Sequence, residues 1–230
     1  MNPHLTKLIN ELSTSVNEFE KLSSEELPKD TTFYKYRSLN SDCEICRFKD
    51  IVLRNQLYAS DFSRMNDPME GVFKSLHLDY AQKLMDEKQK TFVCSMTTKS
   101  NNFLMWSYYA GGGTGCCIKF TLKDTIDNNI HVKKMNYVDK ILDADFQTGS
   151  LEERVINILT RKTIAWEPEC EVRVLTKTHS VPIEIKSIIF GCYIDNKLLK
   201  ELSQFIRDNS KSIEICKYSE QGDIVYVDQI

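Results

Sequence analysis

The sequence predicts an α+β fold: a single domain whose central sheets, mixed or antiparallel, carry flanking helices. Three observations support it. Helical and strand periodicities are interleaved irregularly, roughly seven to nine strands with five or six helices, without the strict alternation of a parallel α/β fold. The 230 residues suit one domain with at most a small appendage. The composition, 41% hydrophobic and 27% charged, is that of a globular protein.

The elements follow in order. Leu5, Leu8, Ile9, Leu12, Val16 and Phe19 recur at helical spacing, so residues 1–30 read as an N-terminal helix and a linker broken at Pro28. Residues 31–230 form the domain. Phe33-Tyr34-Lys35-Tyr36-Arg37 reads as a strand with alternating aromatic and cationic side chains. Ser41, with Glu44 three positions on, forms a capping box, and Ile45, Phe48, Ile51 and Val52 are the buried stripe of the next helix. Residues 57–60 are the next strand. Residues 62–71 are a shaped loop of turn formers. Its Arg64, Asn66, Asp67 and Glu70 either bind something polar or hold the loop through Asx-type hydrogen bonds.

A helix over residues 80–90, a strand over 91–96 and an aromatic helix over 101–110 come next. The glycine run 111–115 follows a helix and precedes a strand, the reverse of a phosphate-binding turn, so it reads as a helix C-cap and flexible link. Strands over 116–120 and 131–138, a loop over 139–150 and a helix over 151–165 follow. Beyond residue 175, a strand over 181–192, a helix over 196–207 and strands over 213–218 and 224–227 complete the chain.

Some function classes are excluded here. A net charge of −3 argues against a protein that simply coats nucleic acid, and leaves room for a local basic groove. No apolar run is long enough to span a bilayer and the N-terminus lacks the form of an export signal, so no membrane partner and a cytoplasmic location are expected. The eight scattered cysteines read as reduced thiols. Cys43 and Cys46 form a lone C-x-x-C without a second ligand pair, so no metal and no disulfide are expected there. His4, His77, His131 and His179 stand apart from any candidate nucleophile and from metal-ligand spacing.

The stretch richest in chemistry is Trp166-Glu167-Pro168-Glu169-Cys170-Glu171-Val172-Arg173-Val174-Leu175. Read as a strand, it points Glu169, Glu171 and Arg173 one way and Cys170, Val172 and Val174 the other. Two neighbouring carboxylates repel, which tends to raise the pKa of one while the other stays ionised. The structural alternative is a solvated face on which Arg173 neutralises the glutamates.

Several of these motifs in combination resemble the bacterial domain-of-unknown-function family 2971. They are Tyr34-Lys35-Tyr36-Arg37, Phe62 with Asn66-Asp67-Pro68 and Glu70-Gly71, Cys94-Ser95, Leu104-Met105-Trp106-Ser107-Tyr108-Tyr109-Ala110 with Gly115, and Trp166, Glu169, Glu171 and Arg173. The resemblance covers residues 33–192, and Gly112-Gly113-Thr114 departs from it by lacking a histidine. More distantly, the order of these segments is similar to the ADP-ribosyltransferase plan. That resemblance implies that Arg37 holds NAD and that Tyr58 or Ser60 supports the nicotinamide ribose. It also implies that Glu171 stabilises the oxocarbenium ion while Glu169 prepares the acceptor. Tyr36, Tyr58 and Trp106 would stack on nicotinamide and Asn66 would bind the polar ligand.

The expected function is therefore an NAD-dependent ADP-ribosyltransferase, a bacterial toxin or phage-defence effector that modifies nucleic acid or protein and has an antitoxin partner. One alternative is a non-catalytic nucleotide or nucleic-acid sensor module built on Arg37, Asn66 and Glu171. Another is a metal-dependent nuclease using Asp67, Glu70, Glu169 and Glu171.

Overall fold

The computed structural model describes residues 25–28, 30–65, 67, 69–123, 130–139, 141–219 and 224–226. The expected N-terminal helix and Asn66 lie outside them. In chain order the elements are β1 (Phe33–Arg37), α1 (Asp42–Arg54), β2 (Gln56–Tyr58), β3 (Ser60–Asp61), β4 (Phe73–Lys74), α2 (Leu78–Gln89), β5 (Phe92–Thr97), α3 (Phe103–Tyr109) and β6 (Cys116–Leu122). There follow β7 (His131–Lys134), β8 (Asn136–Val138), β9 (Leu142–Asp143), α4 (Leu151–Leu159), β10 (Arg161–Thr163), β11 (Glu171–Thr176), β12 (Ser180–Phe190), α5 (Asn196–Asn209), β13 (Glu214–Tyr218) and β14 (Ile224–Tyr226). The class is α+β, as expected. Strands outnumber the expectation because several are two- or three-residue pieces with no periodicity to read. No helix among the described residues is long and apolar enough to cross a membrane.

A ten-stranded sheet organises the molecule in the order β14-β13-β12-β6-β1-β5-β11-β7, with β2 added to β12 and β3 to β5. Among its described residues only β12 and β13 pair in parallel. Strand alternation separates two faces. Phe33, Met96, Ile118, Phe120, Val172 and Val174 pack in one cluster with Phe48 and Val52 of α1 and Leu202 and Ile206 of α5. Each such buried side chain contributes about 1.5–3 kcal/mol relative to exposure. The opposite pleat carries two smaller clusters. Met105 and Trp106 of α3 pack on Tyr36, Cys117 and Ile189. Leu84 of α2 and Val155, Ile158 and Leu159 of α4 pack on Val93 and Leu175.

Between these two clusters the sheet has a seam. Strands β1 and β5 are in register at Tyr34 opposite Thr97. By contrast β1 pairs along its whole length with β6, from Phe33 opposite Phe120 to Arg37 opposite Cys116. Lys35 donates its ammonium across the seam to the Ser95 carbonyl. Beyond Tyr34 the space between the two strands opens into a cavity.

Local differences from expectation have physical causes. The helix expected over 151–165 ends at Leu159, where the Thr160 hydroxyl bonds back to the Ile156 carbonyl at 2.8 Å. The chain then turns into β10, which pairs in parallel with β8. The loop expected over 139–150 contains β9, which pairs with β4. The glycine run is a 3-10 turn rather than a flexible link, with positive φ at Gly111, Gly112 and Gly113. A Cβ at Gly115 would sit 2.2 Å from the Arg37 carbonyl, so glycine there lets the turn pack on the end of β1.

Candidate functional site

The seam cavity has a volume of about 300 Å³. Its walls come from several elements. Strand β1 supplies Tyr34, Lys35, Tyr36 and Arg37, and α3 supplies Met105 and Tyr109. The loop after β3 supplies Arg64, Met65 and Glu70. The far wall is Lys162, Glu169, Glu171 and Arg173, with Ser60 and Ser95 beside it.

That far wall is a buried ion cluster. Arg173 is 1% exposed, Glu171 6% and Glu169 4%. The solvated-face reading of this stretch is therefore overturned: both pleats of β11 are covered, one by the main apolar cluster and the other by the cavity wall. Arg173 donates Nε to Glu171 Oε1 at 2.7 Å and Nη1 to the Leu159 carbonyl at 2.6 Å. Its Nη2 stands 2.8 Å from Glu70 Oε2. The Lys162 ammonium lies among three carboxylates, 2.6 Å from Glu169, 2.9 Å from Glu171 and 3.2 Å from Glu70. It also stands 4.7 Å from the Trp166 ring centroid. Tyr109 donates to Glu169 at 2.7 Å. The Glu171 N–H donates to the Tyr137 hydroxyl at 2.8 Å.

Backbone geometry brings the two glutamates to one wall. Glu169 ends a 3-10 turn over Ile164–Glu169, and Cys170 in the left-handed conformation, φ 47°, swings the chain into β11. The Thr97 hydroxyl holds this corner through the Glu169 carbonyl at 3.0 Å and the Cys170 carbonyl at 3.1 Å. Asn102 caps α3 and also bonds the Pro168 carbonyl, tying the aromatic helix to the same turn.

Electrostatics separate the carboxyls. Burial alone would push Glu171 up, but the Arg173 guanidinium and Lys162 ammonium outweigh it and hold the carboxyl at about 2. Glu70 goes the other way: burial raises it despite the pull of Arg173 and Lys162. Glu171 and Glu70 thus shift in opposite directions, and Glu70 lies outside the Glu169–Glu171 pair read from sequence. Burial depresses Lys162, yet its three carboxylates leave it above the ordinary lysine value. Burial lowers Lys35 below that value.

The candidate residues read from sequence divide clearly. Tyr36, Arg37, Ser60, Glu169 and Glu171 line the cavity. Tyr58 does not. It is 57% exposed on β2, which pairs with β12, and it stacks on His179 at 5.1 Å. Trp106 does not either. One helical position beyond Met105, it faces inward and packs edge-on against Tyr36 and Tyr218, each at 5.2 Å. Lys35 and Arg37 lie on the opposite pleat from Tyr34, and they border the cavity because the seam is open. The Arg37 side chain makes no hydrogen bond or ion pair with a described residue. Sequence reasoning missed Lys162, which sat inside an expected helix, and Tyr137 and Tyr109 as partners of the cluster.

A divalent cation would need the centre of the three carboxylates, and Lys162 fills that position. The donor set therefore does not fit a metal centre of the nuclease kind. Instead, the cavity pairs a fixed anionic wall with basic residues around the remainder.

No family model matches the chain, and no curated protein does. The resemblance to family 2971 gains no support from either. Among solved structures, the chain is similar to Thermus sp. 2.9 DarT in complex with ADP-ribosylated single-stranded DNA, over 84% of this chain and 97% of that one, at 10% identity and a TM-score of 0.37. At that distance the likeness supplies no residue correspondence, and the chemistry of this site stands on its own geometry.

Proposed function

We propose that the chain is an NAD-consuming ADP-ribosyltransferase and that the seam cavity takes NAD. The observation that carries this is the polarity of the cavity. Its buried end holds Glu70, Glu169 and Glu171 against Lys162 and Arg173. The carboxylates of the cavity are concentrated at this end. Arg37 and Arg64 line the rest, with Arg64 exposed, and Lys35 interacts with both Glu171 and Arg173. NAD has the matching polarity, a cationic nicotinamide ring at one end and an anionic diphosphate further along. The field orients it ring-inward.

The mechanism follows. As the bond from ribose to nicotinamide breaks, positive charge develops on the ribose. A carboxylate held rigidly ionised in a dry site stabilises that charge without reorganising. Glu171 has this character: Arg173 and Lys162 fix its orientation. Arg37 serves the diphosphate, Ser60 the ribose and Tyr36 the cavity side against the ring. The acceptor is nucleic acid or protein, in keeping with a toxin or defence effector controlled by an antitoxin.

Incubation with NAD tests this directly. Wild type should release nicotinamide, and Glu171→Gln should lower turnover by about 10²-fold with little change in NAD affinity. A second reading is a nucleotide-binding module, favoured by the saturation of Glu171 by its own cations. It predicts thermal stabilisation by NAD with no nicotinamide released.

A further inference from the structure

A second cavity of about 680 Å³ adjoins the first. It lies under the loop after β3, against α2, and its walls include Phe62, Phe73, Met85 and Lys88. The two cavities share Met65 and Glu70. Glu169 and Glu171 border the seam cavity and are absent from the second. Glu70 is thus the carboxylate of the cluster that borders both cavities.

Resting on the transferase reading above, we propose that the acceptor arrives through this second cavity and that Glu70, rather than Glu169, is the base that takes its proton. Both oxygens of Glu169 are hydrogen-bonded, one by Tyr109 at 2.7 Å and one by Lys162 at 2.6 Å. Among the described residues the Glu70 side chain has only ionic contacts, Lys162 at 3.2 Å and Arg173 at 2.8 Å, and its buried Oε2 makes no hydrogen bond. Glu70 faces Lys162, Arg173 and Glu171 on one side and the second cavity on the other. Asp67, also on that second cavity, begins the turn that presents it, since the Glu70 N–H donates to the Asp67 carbonyl at 3.0 Å. Two carboxyls whose environments drive them apart are suited to divided labour: Glu171 stays charged, and Glu70 exchanges a proton.

The step balances. The bond from ribose C1′ to the nicotinamide nitrogen breaks, and its electron pair neutralises the ring. The acceptor oxygen or nitrogen bonds to C1′, and its proton passes to the Glu70 carboxylate and from there to solvent. The second cavity suits an acceptor with a flat apolar part against Phe62 and Phe73. Lys88 adds a cation: it is 4% exposed, 4.0 Å from the Phe62 ring centroid and bonded to the Gly71 carbonyl at 2.6 Å.

Azide tests the assignment, because it attacks as an anion and needs no base. Nicotinamide release is measured for wild type, Glu70→Gln and Glu70→Asp in water and in sodium azide across pH, with circular dichroism on the same samples. Glu70→Gln should lose about 10²-fold of hydrolysis and the low-pH limb of the profile. Azide should restore release and yield ADP-ribosyl azide. Glu70→Asp, which retains a carboxylate, should keep the limb at a lower rate. A folded Glu70→Gln that hydrolyses NAD with an unchanged profile, or that azide does not rescue, would overturn the proposal and leave Glu70 as a prop for Lys162 and Arg173. If Glu70→Gln does not fold, a Glu70→Asp profile without the limb overturns it. Absence of nicotinamide release by wild type in both media would remove the transferase reading itself, and this inference with it.

Discussion

Glu171 and Arg173 share a pleat of one strand and form a hydrogen-bonded pair at 2.7 Å. A buried pair of this kind is not automatically stabilising, because desolvation opposes the Coulomb gain. Here the Leu159 carbonyl and Glu70 complete the guanidinium's bonds. The pH dependence follows from the direction of each shift. Glu171 falls from its ordinary 4.5 to about 2, so its contribution is full above pH 4.5 and is lost as pH falls towards 2. Glu70 is raised, so its protonation on acidification relieves the fold and partly opposes that loss. The melting temperature of wild type should therefore decline between pH 4.5 and 2, and Glu171→Gln should show a flatter decline. Equal slopes in the two proteins would show that Glu171 is not held as described.

At the scale of elements, Cys170 decides whether β11 meets the ion cluster. It is a non-glycine residue at φ 47°, a conformation that costs about 1–2 kcal/mol. Cys170→Gly should be neutral or stabilising by about 1 kcal/mol, and Cys170→Val should destabilise by about 1–3 kcal/mol. Thermal melts of both variants check this, and a Val variant as stable as the Gly variant would refute it. Elements with a clear period were legible: α1, α2, α3, α5 and most of the sheet lie close to where periodicity puts them. The two-residue pairings were not, since β4 and β9 have no pattern to read and exist only because a distant strand meets them. Lys162 was lost for the same reason: Arg161–Thr163 is a strand by virtue of β8, while its own residues extend a helical run. Alternation placed Val172 and Val174 opposite Glu171 correctly. It did not show that the polar pleat would be buried, because burial depends on what α3 and the loop after β3 bring over it. Tyr58 and Trp106 were misplaced by the strand that β2 joins and by one step of helical rotation.

For the whole molecule, the site is a consequence of where the sheet stays closed and where it opens. Strands β6, β12 and β13 hold one side of β1, while β11 and β7 hold the far side of β5. Ligand binding in the seam should therefore protect residues 34–37 and 95–96 in hydrogen exchange and leave β12 and β13 nearly unchanged. At 100-fold excess over Kd the slowing at those positions should approach about 100-fold. Uniform protection across the sheet would place the ligand elsewhere.

The Lys35–Ser95 contact has one more consequence. In an unbroken antiparallel sheet the Ser95 carbonyl would accept from a backbone N–H of the neighbouring strand. A side chain takes it instead, and the strand edges on either side of the opening face each other across the cavity. A ligand seated there meets peptide edges as well as charges, as a docking strand does. The smallest group that can continue such a ladder is a primary carboxamide, with its donor and acceptor side by side. On the reading proposed above, the carboxamide of nicotinamide is the group that would meet that edge.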